Sequence, residues 1–402
     1  MKKSILLLVL IIAINNSFCQ EPKAKIEKYT SFLKTQNTSA KEYIESMFKK
    51  YDVVVLCERH HGELTQYELI TDIIRSDYFI NNVGTIFTEI GAVDNRKNVL
   101  EFITTKFKTD EEKQKQQLKI YRDMGFPYWE KTNMFNFIGD INSLNSKLKR
   151  NRKINLFVSN NRNPTSEECS SDQKFMRYFN SNFRKRDSIM SRNIITTFDS
   201  ISKISDRKKC LIIMNYRHAF SKTLHDDGTK NVGQCLAERY KDKFANVFIN
   251  GVAPTIKVAK SDINKATIFQ NSSETPIQNG KWDASFIISK KENIGFDFKD
   301  SPFGNDSFDI WPYTEHNYKY EDIFAGFVYY LPLEKHIDGY GIPHFLDDSY
   351  LEELYEKEVI FSKALKREPT KKEDIEADLE YHEERYDDLK EMELIINEWL
   401  QK

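Results

Sequence analysis

Val53-Val54-Val55-Leu56-Cys57-Glu58-Arg59-His60-His61-Gly62 decides how the chain is read. Three β-branched residues and a leucine run directly into an acid, a base and two imidazoles. Such an apolar run suits a strand covered on both faces. The charged residues after it cannot continue in a dry core, so they belong at the strand's carboxyl end. In open α/β sheets that edge is where ligands bind.

Two later stretches repeat the pattern. Val83-Gly84-Thr85-Ile86-Phe87-Thr88 runs into Glu89, and Leu211-Ile212-Ile213-Met214 runs into Asn215-Tyr216-Arg217-His218. If the three runs lie parallel in one sheet, Glu58, His60 or His61, Glu89 and His218 converge on one edge. Three of the chain's 8 histidines fall at these ends, which sets the group apart from single core histidines. His60 and His61 are adjacent, so on an extended backbone they point opposite ways. One is expected to serve the site while the other packs or meets solvent.

Between and beyond these runs, segments of helical and strand periodicity alternate. Leu64–Ile74 reads as a helix, Ile154–Val158 as a strand, 171–204 as helical, Val232–Tyr240 as a helix and Ala245–Ile249 as a strand. This alternation predicts an α/β fold, a mainly parallel central sheet with helices on both faces. The strand at Val53, the helix after it and the strand at Val83 read as a βαβ unit. After Gly251 the texture changes, and strand-like runs at Ala284–Ile288 and Phe324–Leu331 predict a β-rich C-terminal extension. A helical tail follows Asp347, with Ile375, Leu379, Tyr386, Leu389, Met392, Ile396 and Leu400 forming one apolar stripe. That stripe either packs on the domain or forms a homodimer through the C-terminal helix. The expected organisation is residues 1–19 as a signal peptide, 20–345 as one α/β domain and 346–402 as an acidic helical segment.

The 402 residues carry a formal net charge of −1, with no basic footprint for nucleic acid. Residues 351–402 hold 17 acids against 9 bases, which reads as a solvated helical surface. At the amino terminus, Lys2 and Lys3 precede the apolar run Ile5–Ile14, and Ser17-Phe18-Cys19 supplies small residues at a cleavage site. This is a secretory signal pattern, and cleavage after Cys19 would leave Gln20 first. The expected location is periplasmic or secreted, with lipid attachment at Cys19 the lesser alternative. No other segment is long and apolar enough for a transmembrane segment. Cys57, Cys169, Cys210 and Cys235 remain, and an oxidising compartment permits disulfides among them. Cys57, beside the candidate site, reads more simply as a small buried hydrophobe than as a nucleophile.

The nucleophile-elbow, P-loop, dinucleotide-turn and zincin motifs are absent. What remains is imidazole with carboxylate. A histidine oriented by a carboxylate takes a proton from water near neutral pH, and a second histidine or Arg217 would hold developing charge. Two histidines with two carboxylates would equally hold a divalent metal that activates water.

These residues carry a resemblance. Cys57-Glu58-Arg59-His60-His61-Gly62 is similar to the Gly-Glu-x-x-His-Gly signature of the erythromycin esterase family, and Glu89 resembles that family's second acid. Arg186-Asp187-Ser188-Ile189-Met190-Ser191-Arg192-Asn193 resembles its Arg-Asp-x-x-Met-x-x-Asn helix. Asn215-Tyr216-Arg217-His218-Ala219 resembles its Asn-Ala-His strand end, with one residue more between Asn and His. Val232-Gly233-Gln234-Cys235-Leu236 resembles the Met-Gly-x-x-Leu helix that follows. The matches keep family order over roughly residues 50–250. The resemblance implies a water-activating His61 helped by Glu58, Glu89 and His218, with a small-molecule or peptide substrate and no required cofactor. The wider superfamily includes ChaN-like haem-binding proteins and Tiki metalloproteases, which imply haem or a divalent metal instead, and a Gly-Glu-x-His reading of Cys57-Glu58-Arg59-His60 suits the ChaN side and brings His60 forward. Cys57 in place of glycine, the bulk of Arg59-His60 and the secretory signal depart from the esterase pattern.

Overall fold

The structure is a computed structural model that describes residues 26–222, 228–256, 272–310 and 313–401. The expected signal peptide, with Cys19, lies outside the described residues. The chain divides into two compact units, and the expected 345/346 boundary falls inside one of them.

The unit formed by Lys41–Ile249 and Lys335–Tyr386 carries the candidate site. Five strands, β1 (Val53–Glu58), β2 (Thr85–Ala92), β3 (Asn155–Asn160), β4 (Cys210–Asn215) and β5 (Phe244–Ile249), run parallel in the order β3-β2-β4-β1-β5. The mainly parallel sheet with helices around it is as expected. β1, β2 and β5 are buried along their whole length, as β-branched and aromatic strands covered on both faces should be.

The order departs from a simple βαβ pair. Two helices, Thr65–Ile74 and Asp77–Asn82, connect β1 to β2, and β4 lies between those strands. Its register sets Asn215 beside Glu58 on one side and Ile213 beside Thr88 on the other. The end of β4 therefore stands between Glu58 and Glu89. β2 also continues past the expected end, so Glu89 sits inside the strand with a register irregularity just after it. Gly91, at φ +107°, serves that irregularity: a Cβ there would collide with Val158.

The other unit comprises the described residues before Lys41, Asn250–Glu334 and Asp387–Lys402. It holds an antiparallel hairpin, Val252–Ile256 with Ser272–Pro276, and an antiparallel pair, Ile294–Asp297 with Gly326–Tyr329. Buried Asp306 organises its polar core, accepting from the Tyr29 hydroxyl at 2.6 Å and the Trp282 indole at 2.7 Å. The expected strand at Ala284–Ile288 is instead part of a helix, Lys281–Ser289. A five-residue apolar run fits either period. Here Trp282 and Phe286, four apart, are buried on one side while Ile287 and Ile288 stay exposed.

The tail after Asp347 is not wholly helical. Helices Asp348–Leu365, Lys372–Leu379 and Leu389–Leu400 are interrupted by a strand, His382–Glu384, which pairs with Asp338–Tyr340. The single stripe is thereby divided. Ile375, Leu379 and Tyr386 are buried in the unit with the parallel sheet, and Met392 and Ile396 are buried residues of the other. All four cysteines described are free, and Cys57 and Cys210 are fully buried.

Candidate functional site

The loop after β1 is fixed by buried polar groups. The Glu63 carboxylate accepts from the backbone N–H of Thr65 at 2.9 Å and of Gln66 at 2.8 Å. It thus places an anion at the amino terminus of helix Thr65–Ile74, where the helix dipole favours one. Arg59 Nη1 donates to Glu63 at 3.0 Å, an ion pair with both side chains buried. Gln66 accepts from Arg59 N–H at 2.8 Å and donates to the His60 carbonyl at 2.7 Å. Asn133 Nδ2 donates to the His61 carbonyl at 2.6 Å. The backbone that presents both histidines is therefore held from several sides.

Glu58, His61, Glu89 and His218 come together. His61 Nδ1 lies 3.2 Å from Glu58, and its Nε2 lies 3.5 Å from Glu89 Oε1. The two carboxylates are buried, while 24% of the His61 side chain is exposed. The other Glu58 oxygen accepts from the Tyr67 hydroxyl at 2.6 Å. Burial, then the Glu58 charge, pushes the Tyr67 phenol well above its ordinary value, so it remains a donor.

Glu89 is an anchored anion. Its Oε1 accepts from Arg186 at 2.7 Å and faces His218 Nε2 at 3.3 Å, and its Oε2 accepts from Asn215 N–H at 2.8 Å. Burial acts to raise its pKa, but His218, His61 and Arg186 outweigh that and hold it well below the usual carboxylate range. His218 Nδ1 lies 2.7 Å from Asp187. Burial alone would lower the imidazole's pKa, and Glu89 with Asp187 instead pushes it up to about 9. His218 is thus an imidazolium at neutral pH, donating from both nitrogens to carboxylates.

Two of the six expected residues stand apart. His60 Nδ1 lies 2.9 Å from Asp338, and 43% of its side chain is exposed. The turn after β1 sends it toward strand Asp338–Tyr340, while its neighbour enters the cluster. Arg217 donates to the Tyr216 hydroxyl at 3.2 Å and lies over that ring. Tyr67, Arg186, Asp187 and Trp129 were not among the expected site residues. Arg186 and Asp187 had a signal in the helix motif quoted above. Tyr67 and Trp129, whose ring centroid lies 5.0 Å from that of His61, had none. Burial raises the Cys57 thiol well above its ordinary value, which removes it as a nucleophile.

Glu58, His61 and Glu89 each offer one ligand atom, all within 4.8 Å of one another. The charge pattern opposes a divalent ion there. Glu89 Oε1 already faces the Arg186 guanidinium and the His218 imidazolium, which would repel an added cation. The set fits a closed ion-pair network better than a metal shell.

No family model and no curated protein matches the sequence. The chain is similar to solved structures at low identity. One is a succinoglycan biosynthesis protein, 8% identical with a TM-score of 0.49, the match covering 77% of this chain and 97% of that one. Another is a mutant of the erythromycin esterase EreC in its open conformation, at 11%, TM-score 0.45, 72% and 93% coverage. A third is ChaN of Campylobacter jejuni with cofacially bound haem, at 11%, TM-score 0.28, 56% and 87% coverage.

Proposed function

We propose that the chain is a hydrolase of carboxylic esters or amides in which His61 activates water. The observation that carries this reading is the His61 ring, held between two buried carboxylates and open to solvent on part of its surface. A carboxylate accepts, so with Glu58 against Nδ1 the neutral ring carries its proton there and presents its lone pair at Nε2. A water on the solvent-exposed side of the ring, beside rather than between Nε2 and Glu89 Oε1, which are 3.5 Å apart, donates to both. As its oxygen attacks the carbonyl carbon, its proton passes to Nε2, and Glu58 stabilises the imidazolium that forms. The Nε2 proton then goes to the leaving group as the bond to the carbonyl carbon breaks. Arg186 and His218 keep Glu89 ionised, so it orients the water rather than competing for its proton.

A panel of p-nitrophenyl butyrate, lactones and peptides, run on wild type and His61→Ala, tests the reading. Turnover that is lost in a His61→Ala protein of unchanged melting temperature is expected. Equal turnover in both would overturn it. Chelator-sensitive activity, or a Soret band on haem titration lost with His60 or His61, would transfer the site to the metal or haem alternatives. The export of the chain is part of the same proposal, and an intact mass beginning at Gln20 in the native host tests it.

A further inference from the structure

A water-activating histidine between two carboxylates leaves one requirement unmet. The carbonyl oxygen gains negative charge during attack, and Glu58 and Glu89 repel it. A donor must hold it on the side away from those acids. The recorded contacts of the cluster's side-chain donors run to acceptors within it: Tyr67 to Glu58, Arg186 Nε to Asn160 and Nη2 to Glu89, and His218 to Glu89 and Asp187. Arg217 is turned onto Tyr216.

Trp129 differs. Its ring meets the His61 ring edge to face, with centroids 5.0 Å apart and planes at 81°. Its indole Nε1 is buried and has no hydrogen-bond partner among the described residues. Leaving a buried donor unpaired costs about 1–3 kcal/mol. The buried indole of Trp282, by contrast, donates to Asp306 at 2.7 Å. The segment carrying Trp129 is also held in place, against the His61 loop by Asn133 on the His61 carbonyl and against a neighbouring helix by Tyr121 on the Lys131 carbonyl.

We propose that the Trp129 indole N–H is the donor for the oxygen of the group attacked at His61, which rests on the hydrolase reading above. As water adds, the carbonyl π pair moves onto that oxygen and the Trp129 N–H hydrogen bond to it strengthens. As the pair returns, the bond to the leaving group breaks and the leaving atom, oxygen in an ester or nitrogen in an amide, takes the proton from His61 Nε2. The ligand class follows: a group whose oxygen accepts but does not donate, such as an ester or amide carbonyl, with a tetrahedral phosphonate as its charged mimic.

The test uses p-nitrophenyl butyrate for turnover and butylphosphonate for binding. Trp129→Phe keeps an aromatic ring against His61 and removes the donor. Its kcat should fall about 100-fold, the loss typical of one oxyanion donor, with KM within about twofold. Its butylphosphonate affinity should fall at least tenfold. If Trp129→Phe unfolds, 3-benzothienylalanine at the same position replaces N–H by sulfur in a ring system of the same shape, and the same losses are expected. Wild-type turnover that requires His61 but is unchanged in either variant would overturn this proposal and leave the hydrolase reading standing. No turnover in wild type above His61→Ala would overturn both.

Discussion

The ion pairs of His218 with Glu89 and Asp187 make stability depend on pH in a direction that can be worked out beforehand. Raising the imidazole from 6.5 to about 9 corresponds to about 3 kcal/mol, at roughly 1.4 kcal/mol for each pH unit. The lowered pKa of Glu89 is the same attraction seen from the acid, so the two are not added. The sign follows from where the proton binds. Above pH 6.5 the unfolded histidine loses its proton while the folded one keeps it, so folding takes up a proton and stability falls as pH rises. The full contribution is present below about pH 6.5 and is gone once pH passes about 9. Urea unfolding at pH 6, 7.5, 9 and 10, for wild type and His218→Gln, isolates it. Lysines, tyrosines and thiols that titrate in the same window are common to both proteins. The expected result is a gap between the two that is largest at pH 6 and shrinks by about 3 kcal/mol by pH 10. A gap independent of pH would refute the assignment of His218 as a fixed imidazolium.

Other outcomes follow from the same geometry. Glu63→Ala strands the buried Arg59 guanidinium and removes the anion capping helix Thr65–Ile74, so it should cost about 3–5 kcal/mol in chemical denaturation. Glu63→Gln, which keeps part of the hydrogen bonding, should cost less. Native protein treated with a thiol reagent should label Cys169 and Cys235, which are partly exposed, while Cys57 and Cys210 react only after unfolding. Mass spectrometry of the labelled peptides checks this.

The parts of the site that lie at strand ends were legible because an apolar run that stops at a charge has few places to go. Glu58 and His218 lie at or just past such ends, while Glu89, read the same way, lies inside a longer β2, and the fold brings the three together with His61. The order of the strands was not legible. β1 and β2 are successive in sequence, yet the strand between them begins at Cys210, and nothing in local periodicity encodes that insertion. Tyr67 and Trp129 act through contacts made by the fold, and as residues each has an ordinary core reading. Asp338, which takes His60, lies 278 positions away along the chain. Helix Lys281–Ser289 was misread because a short apolar run without its neighbours satisfies both periods.

The position of β4 also bears on how the protein comes to exist. β1 pairs with it in a register that joins Val53 to Cys210, so both neighbours of β4 are synthesised long before it. Until it enters, β1 and β2 each present an unpaired edge to other chains, a hazard during a fold dominated by distant pairings. Its end carries Asn215, whose N–H holds Glu89, and leads into His218. A nascent chain therefore has neither a closed sheet nor a charged centre until the same late strand supplies both, and a chain stalled before it is inert.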